Sequence, residues 1–231
     1  MRSLFAEYLY ELKKLNTKII LLSGDIGNKL FDKYKKKYPK FFYNCGIAEA
    51  NMTTVAAGLA KSGFIPISYT IATFNTLKTI EQIKIDICYP KLPVIIIGTG
   101  SGISYSSLGT THHSVEDIGI IRTLPNIDIY SPCDNDDLKS CLKKALRNKR
   151  PTYIRISKKE SWRIKEYKNL RKKKYFYSLK KKLKSNLLII TSGIISKNVF
   201  DSMVFFKKTR VNPSILPISK IKDLDKNVMS Y

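Results

Sequence analysis

Lys18-Ile19-Ile20-Leu21-Leu22-Ser23-Gly24-Asp25 is a continuous apolar run closed by a turn. It follows a stretch, residues 4–15, in which Leu4, Phe5, Tyr8, Leu9, Leu12 and Leu15 recur at spacings of three and four, the period of a helix with one buried face. A strand apolar at every position is buried on both sides, which a sheet covered by helices on both faces provides. The same pattern recurs along the chain. Strand-like runs fall at Phe41–Asn44, Ile65–Tyr69, Val94–Gly98, Ile127–Tyr130 and Tyr153–Ile156. Helical stretches lie between them near 48–62, 76–88, 115–123 and 135–148. The reading is an α/β fold with a mostly parallel sheet and helices on both faces.

Residues 158–184 break the rhythm with Lys158-Lys159, Arg171-Lys172-Lys173-Lys174 and Lys180-Lys181-Lys182, relieved by one possible strand at Tyr175–Leu179. This reads as a basic surface linker. A second α/β unit then opens with strand Asn186–Thr191, a helix from about Ser196 to Phe206, and strand Ser214–Ile218. The organisation expected is a domain over 1–160, a linker over 161–184, and an incomplete second domain over 185–231, too short for three layers of its own.

The 231 residues are 43% hydrophobic and 26% charged, which excludes a disordered chain. No apolar run approaches the ~20 residues a membrane span needs, and the N-terminus has no signal-like apolar segment, so a cytoplasmic protein is expected. The net charge of +24 first suggests nucleic acid. Half of the basic residues, 21 of 42, crowd into residues 151–231, and 34 of the 42 are lysine, whereas base and phosphate recognition favours arginine. Biased coding accounts for that composition without a nucleic-acid partner. Cys45, Cys88, Cys133 and Cys141 match neither a metal motif nor a disulfide framework, so reduced thiols are expected.

In an open parallel sheet, ligands meet the loops at the carboxyl ends of the strands. Glu49 lies in such a segment, between a strand and a helix, where the plain reading is an acidic residue favoured by the helix dipole. Gly98-Thr99-Gly100-Ser101-Gly102 lacks the third glycine of a dinucleotide fingerprint, Ile103 standing in its place. His112 and His113 are adjacent and cannot readily share one metal; a loop histidine there is either a substrate contact or proton carrier, or part of a helix cap. Tyr69-Thr70-Ile71-Ala72-Thr73-Phe74 is either core or a slot for a flat heterocycle. Those alternatives stay open on the residues alone.

Taken in order, Gly24-Asp25-Ile26-Gly27, Gly46-Ile47-Ala48-Glu49-Ala50-Asn51-Met52, Tyr69–Phe74, Leu108-Gly109-Thr110-Thr111-His112-His113-Ser114-Val115-Glu116-Asp117 and Leu124-Pro125-Asn126 resemble the pyrimidine-binding domain of thiamine-diphosphate enzymes of the transketolase group. The resemblance covers roughly residues 1–160, and Thr191-Ser192-Gly193 resembles the opening of the family's C-terminal domain. It implies thiamine diphosphate as cofactor and a transferase moving a two-carbon ketol unit between sugar phosphates. It also implies that Glu49 is the carboxyl that promotes the aminopyrimidine's tautomeric shift, with Phe74 stacking on that ring and Ile71 beside it. Asp25 and Ile26 match positions near the thiazolium, and His112 and Lys158 match substrate contacts. The chain departs from the family pattern at Gly100, where many transketolases have a histidine, at Leu108, where they have an aspartate, and at Lys158, where an arginine is common. It also lacks the Gly-Asp-Gly motif that holds Mg2+ and the diphosphate, so an N-terminal transketolase-like partner subunit is expected to carry it, with self-association or a heterotetramer. The alternatives are a 2-oxo-acid dehydrogenase β-subunit, a deoxyxylulose-phosphate synthase fragment, or a basic nucleic-acid-binding or non-catalytic scaffold protein.

Overall fold

The computed structural model describes residues 1–158, 162–167, 171–173, 176–178 and 185–223. Helix α1 (Arg2–Leu15) is followed by β1 (Ile19–Ser23), α2 (Asp32–Lys37), β2 (Phe42–Asn44), α3 (Glu49–Lys61) and β3 (Ile65–Ile71). Then come α4 (Ile80–Gln82), β4 (Ile95–Thr99), α5 (Asp117–Thr123), β5 (Asp128–Tyr130), α6 (Asn135–Asn148) and β6 (Thr152–Ile156). The six strands form one parallel sheet in the order β2-β1-β3-β4-β6-β5.

Alternation along each strand divides the core. Ile19 and Leu21 of β1, with Ile95 and Ile97 of β4, face one cluster with Phe5, Leu9 and Leu142 from α1 and α6. Ile20, Leu22 and Ile96 face the opposite cluster with Met52, Ala56 and Ile87. Both faces are therefore dry, which is why these strands carry no polar alternation. Helix α1 buries Phe5, Leu9 and Leu12 and ends at extended Asn16 after Lys13 and Lys14, cations suited to a helix C-terminus. Helix α6 starts on Asp134, whose carboxylate accepts from the Asp137 amide at 2.8 Å, and stops at left-handed Lys149.

A four-stranded sheet follows in the order β7-β8-β10-β9, from β7 (Arg171–Lys173), β8 (Phe176–Ser178), β9 (Leu187–Thr191) and β10 (Pro213–Pro217), with α7 (Ile195–Ser202) after β9. Trp162, Phe200, Met203 and Ile215 are its core. It joins the first unit through main-chain bonds from Ser131 to Ser219 (2.8 Å), Gly193 to Ser131 (3.1 Å) and Ile221 to Ile129 (2.9 Å). Gly193 is required there: its φ is +68°, and a Cβ would stand 2.6 Å from the Ser131 hydroxyl.

Two expectations need correction. The basic segment is not only surface linker, since Trp162 is buried in the second core and β7 and β8 belong to the second sheet. Lys159, Lys174 and Lys180-Lys181-Lys182 of that segment lie outside the described residues. Residues 76–88 are not one α-helix: a 3-10 turn at Leu77–Thr79 leads into α4 and then π turns over Ile83–Cys88. Helix α2, six residues of mostly lysine, has too little periodicity to be read from sequence.

Candidate functional site at the carboxyl edge of the sheet

The strand register brings the loops together. Ser23 pairs with Asn44 and Tyr69, Ile71 with Thr99, and Thr99 with Ile156, so β1 and β2 end two residues short of β3, β4 and β6 on the same edge. The loops carrying Asp25, Glu49, Phe74, His112 and Lys158 leave that edge, whereas Leu124-Pro125-Asn126 leads into β5 at the opposite one.

After β1 the chain turns at Gly24 and Asp25, the latter exposed with φ 52°. Asn44 fixes this turn. Its Oδ1 accepts from the Asp25 amide (3.1 Å) and the Gly46 amide (3.0 Å), and its Nδ2 donates to Asp25 Oδ1 at 3.0 Å. Sequence reading passed over Asn44, although a strand-end asparagine near a glycine is a common turn anchor. Ile26 packs partly buried against the first core, and its carbonyl accepts from the Ser23 hydroxyl at 2.7 Å.

Glu49 is the first residue of α3 and is 3% exposed. The preceding Ala48 offers no side-chain cap, so the carboxylate lies near uncapped amides. Its Oε2 takes a hydrogen bond from Lys78 Nζ at 2.6 Å, and Lys78 also donates to the Ile47 carbonyl at 3.2 Å. Lys78 was not anticipated; it lies four residues past Phe74, one turn along the chain. Gly24 borders Glu49 from below. A Cβ at 24 would stand 3.0 Å from Thr70 and 3.4 Å from Glu49 Cγ, so a side chain there would crowd this corner. The Thr70 hydroxyl in the same corner is buried and has no hydrogen-bond partner.

Ile71 ends β3 buried, and Phe74 is half-buried three residues on. The Phe74 ring meets His112 edge-on with centroids 5.2 Å apart. His112 Nδ1 lies 2.9 Å from Thr111 Oγ1, and its ring is 5.9 Å from that of Tyr105. Lys158, just beyond β6, places its ammonium 4.5 Å from the Tyr105 centroid. Phe74, His112, Tyr105 and Lys158 thus form one continuous run, with Glu49, Gly24 and Thr70 a second group on the same edge.

The loop carrying His112 is held by a buried charge network. Gly102 and Ser114 exchange main-chain bonds of 3.0 and 2.9 Å. Arg155 on β6 donates to the Ser114 carbonyl (3.1 Å) and to Asp117 Oδ2 (2.9 Å), and the Tyr153 hydroxyl donates to the same Asp117 oxygen at 2.6 Å. Burial, then the Asp117 charge, pushes the Tyr153 phenol well above its ordinary range, so it stays a donor.

The chemistry of these side chains suits a flat, uncharged heterocycle once Lys78 releases the Glu49 carboxyl. A buried carboxyl, an orphaned threonine hydroxyl, the aliphatic Ile71 and the Phe74 ring are the set of groups such a ring needs, so the residues fit the pyrimidine end of thiamine diphosphate. Among the described residues, no group of three or more His, Cys, Asp or Glu side chains is placed to hold a metal ion, and no helix is long and apolar enough to cross a membrane.

The chain is 34% identical over 158 residues to a subunit of the apulose-4-phosphate transketolase of Phocaeicola vulgatus, covering 68% of this chain and 51% of that protein. It is 29% identical over 232 residues to a putative transketolase C-terminal section of Methanocaldococcus jannaschii, covering 99% of this chain and 73% of that one. The chain therefore spans about half the length of the first relative and about three quarters of the second. A solved split-gene transketolase, described as an inactive beta4 tetramer, superposes with a TM-score of 0.80 at 29% identity, covering 99% of this chain and 74% of that one. The family description "transketolase, pyrimidine binding domain" matches residues 1–161, and the chain belongs to that family.

Proposed function

We propose that this chain is the pyrimidine-binding subunit of a split transketolase, active with a partner chain that carries the diphosphate and Mg2+ site. The observation that carries the reading is Glu49, a carboxyl buried at the start of α3 beside Gly24, where a side chain would crowd it, and near the unpartnered Thr70 hydroxyl. A carboxylate buried that deeply needs a stated purpose, because removing it from water is costly.

The reaction breaks the bond between carbons 2 and 3 of a ketose, releases the rest of that sugar as a shorter aldose whose carbonyl is the old carbon 3, and joins the two-carbon unit to the carbonyl carbon of an acceptor aldose. When bound, thiamine diphosphate supplies the carbon nucleophile that carries this unit. With the cofactor bound, Glu49 would serve as the proton-holding carboxyl for the pyrimidine ring nitrogen, Phe74 and Ile71 would hold the ring, and Asp25 and Ile26 would serve the thiazolium end. His112 meets substrate hydroxyl or carbonyl oxygens, and Lys158 meets a sugar phosphate. The cytoplasm, where the four free thiols stay reduced, is the compartment of action. Exposed Ile47, Ile85 and Tyr89 favour burial in an assembly, a heterotetramer of two such pairs.

The test is calorimetry of thiamine diphosphate with Mg2+ against this chain, its partner, and the mixture. Binding should be weak to this chain alone, because among the described residues no group of acidic side chains is placed to hold the Mg2+ that accompanies the diphosphate, and tight to the mixture. Tight, magnesium-dependent binding by the isolated chain overturns the reading.

A further inference from the structure

We propose that Tyr105 is a specificity-determining residue whose ring fixes Lys158 where the phosphate end of a sugar substrate is held. The inference rests on the substrate side of the reading above. It starts from Gly100, which has φ +81° and donates its amide to the Ile156 carbonyl at 2.8 Å. A Cβ at position 100 would fall 1.9 Å from Tyr105 Cε2. The Tyr105 ring therefore occupies the volume that a side chain at 100 would claim, and only glycine admits it.

Tyr105 is 8% exposed, its carbonyl accepts the Leu108 amide at 2.9 Å, and its ring lies between His112 and the Lys158 ammonium. A cation over an aromatic face is held in place, yet exchanges that face readily for a phosphate, which offers charge-assisted hydrogen bonds. Lysine alone is a flexible point charge with four rotatable bonds. The ring supplies the preorganisation that the side chain lacks. Among the described residues no salt bridge holds Lys158 elsewhere.

The test uses the complex of this chain with its partner and two acceptors that differ only in the phosphate, glyceraldehyde and glyceraldehyde 3-phosphate. Tyr105→Ala should lower the preference for the phosphorylated acceptor by about tenfold, the loss falling in KM rather than kcat. Tyr105→Phe, which keeps the ring, should restore the preference. Gly100→Ala, which displaces the ring with Tyr105 still present, should reproduce the loss. An unchanged preference in Tyr105→Ala, or an equal loss for both acceptors, overturns the proposal. A second measurement needs no turnover: inorganic phosphate titrated into the isolated chain should shift the His112 ring-proton resonances saturably, and about tenfold more weakly in Tyr105→Ala. Equal phosphate responses in the two proteins, or none in wild type, also overturn it. A wild-type complex that transfers no ketol unit while the phosphate response holds would instead remove the transketolase reading.

Discussion

Lys78 Nζ stands 2.6 Å from Glu49 Oε2, joining a side chain that is half exposed to one that is almost wholly buried. The ammonium reaches in from the loop after β3 and is anchored on the Ile47 carbonyl as well. Glu49 therefore has a counter-ion that can leave toward solvent without unfolding anything.

Lys78→Met should cost about 1–3 kcal/mol at neutral pH, because it strands a buried carboxylate. Adding Glu49→Gln removes the stranded charge, so the double variant should recover much of the loss. Denaturant titrations of wild type and the three variants check this, and additive losses would show that Lys78 acts through packing.

The Arg155–Asp117 pair gives a second prediction. Arg155→Met leaves the fully buried Asp117 carboxylate with only the Tyr153 hydroxyl, and should cost about 3 kcal/mol. Adding Asp117→Asn removes the stranded charge, so the double variant should recover much of the loss. Thermal or denaturant unfolding of the three variants measures the coupling, and additive losses would contradict a network.

Lys13 titrates in an accessible range. Burial brings its ammonium down to about 8, while an unfolded lysine ionises near 10.4. Between those values the unfolded chain binds more protons than the folded one, so this residue makes stability rise with pH across that window. The buried thiols of Cys88 and Cys133 and the phenols of Tyr69 and Tyr130, pushed up to about 12, act in the opposite sense at higher pH. The comparison is therefore between wild type and Lys13→Met. The variant should lack the rising component in chemical-denaturation curves taken from about pH 7.5 to 10.

Thiol chemistry should single out Cys45. It is partly exposed, whereas Cys88, Cys133 and Cys141 are buried. One thiol should react with a disulfide reagent in native conditions, slowly because burial raises its pKa, and the other three only on unfolding. Mass spectrometry of the labelled chain identifies the site.

The sheet was legible because each of its longer strands is buried on two faces: Ile19–Leu22 and Ile95–Ile97 announce themselves as unbroken apolar runs. Helices α3 and α6 were legible from their periodicity. The segment after Phe74 was not, since α and π turns share nearly the same apolar spacing over six residues. Strand β7 was hidden because Arg171-Lys172-Lys173 has no apolar alternation. At the edge of the sheet, Glu49, Phe74 and His112 were found through motifs. Asn44, Lys78, Tyr105 and Arg155 act through contacts between segments far apart in the chain, such as Asn44 to Asp25 across 19 residues and Arg155 to Ser114 across 41, which no local pattern encodes.

The most direct measurement is hydrogen–deuterium exchange at the thiazolium carbon of thiamine diphosphate bound to the assembled complex, with wild-type chain and with Glu49→Gln. Exchange reports the proton-transfer step before any sugar binds, so it does not depend on the identity of the substrate. If Glu49 is the carboxyl that serves this step, the variant should assemble normally and exchange about two to four orders of magnitude more slowly. Exchange at the wild-type rate in Glu49→Gln would leave the residue a first-turn glutamate of α3 and contradict the account.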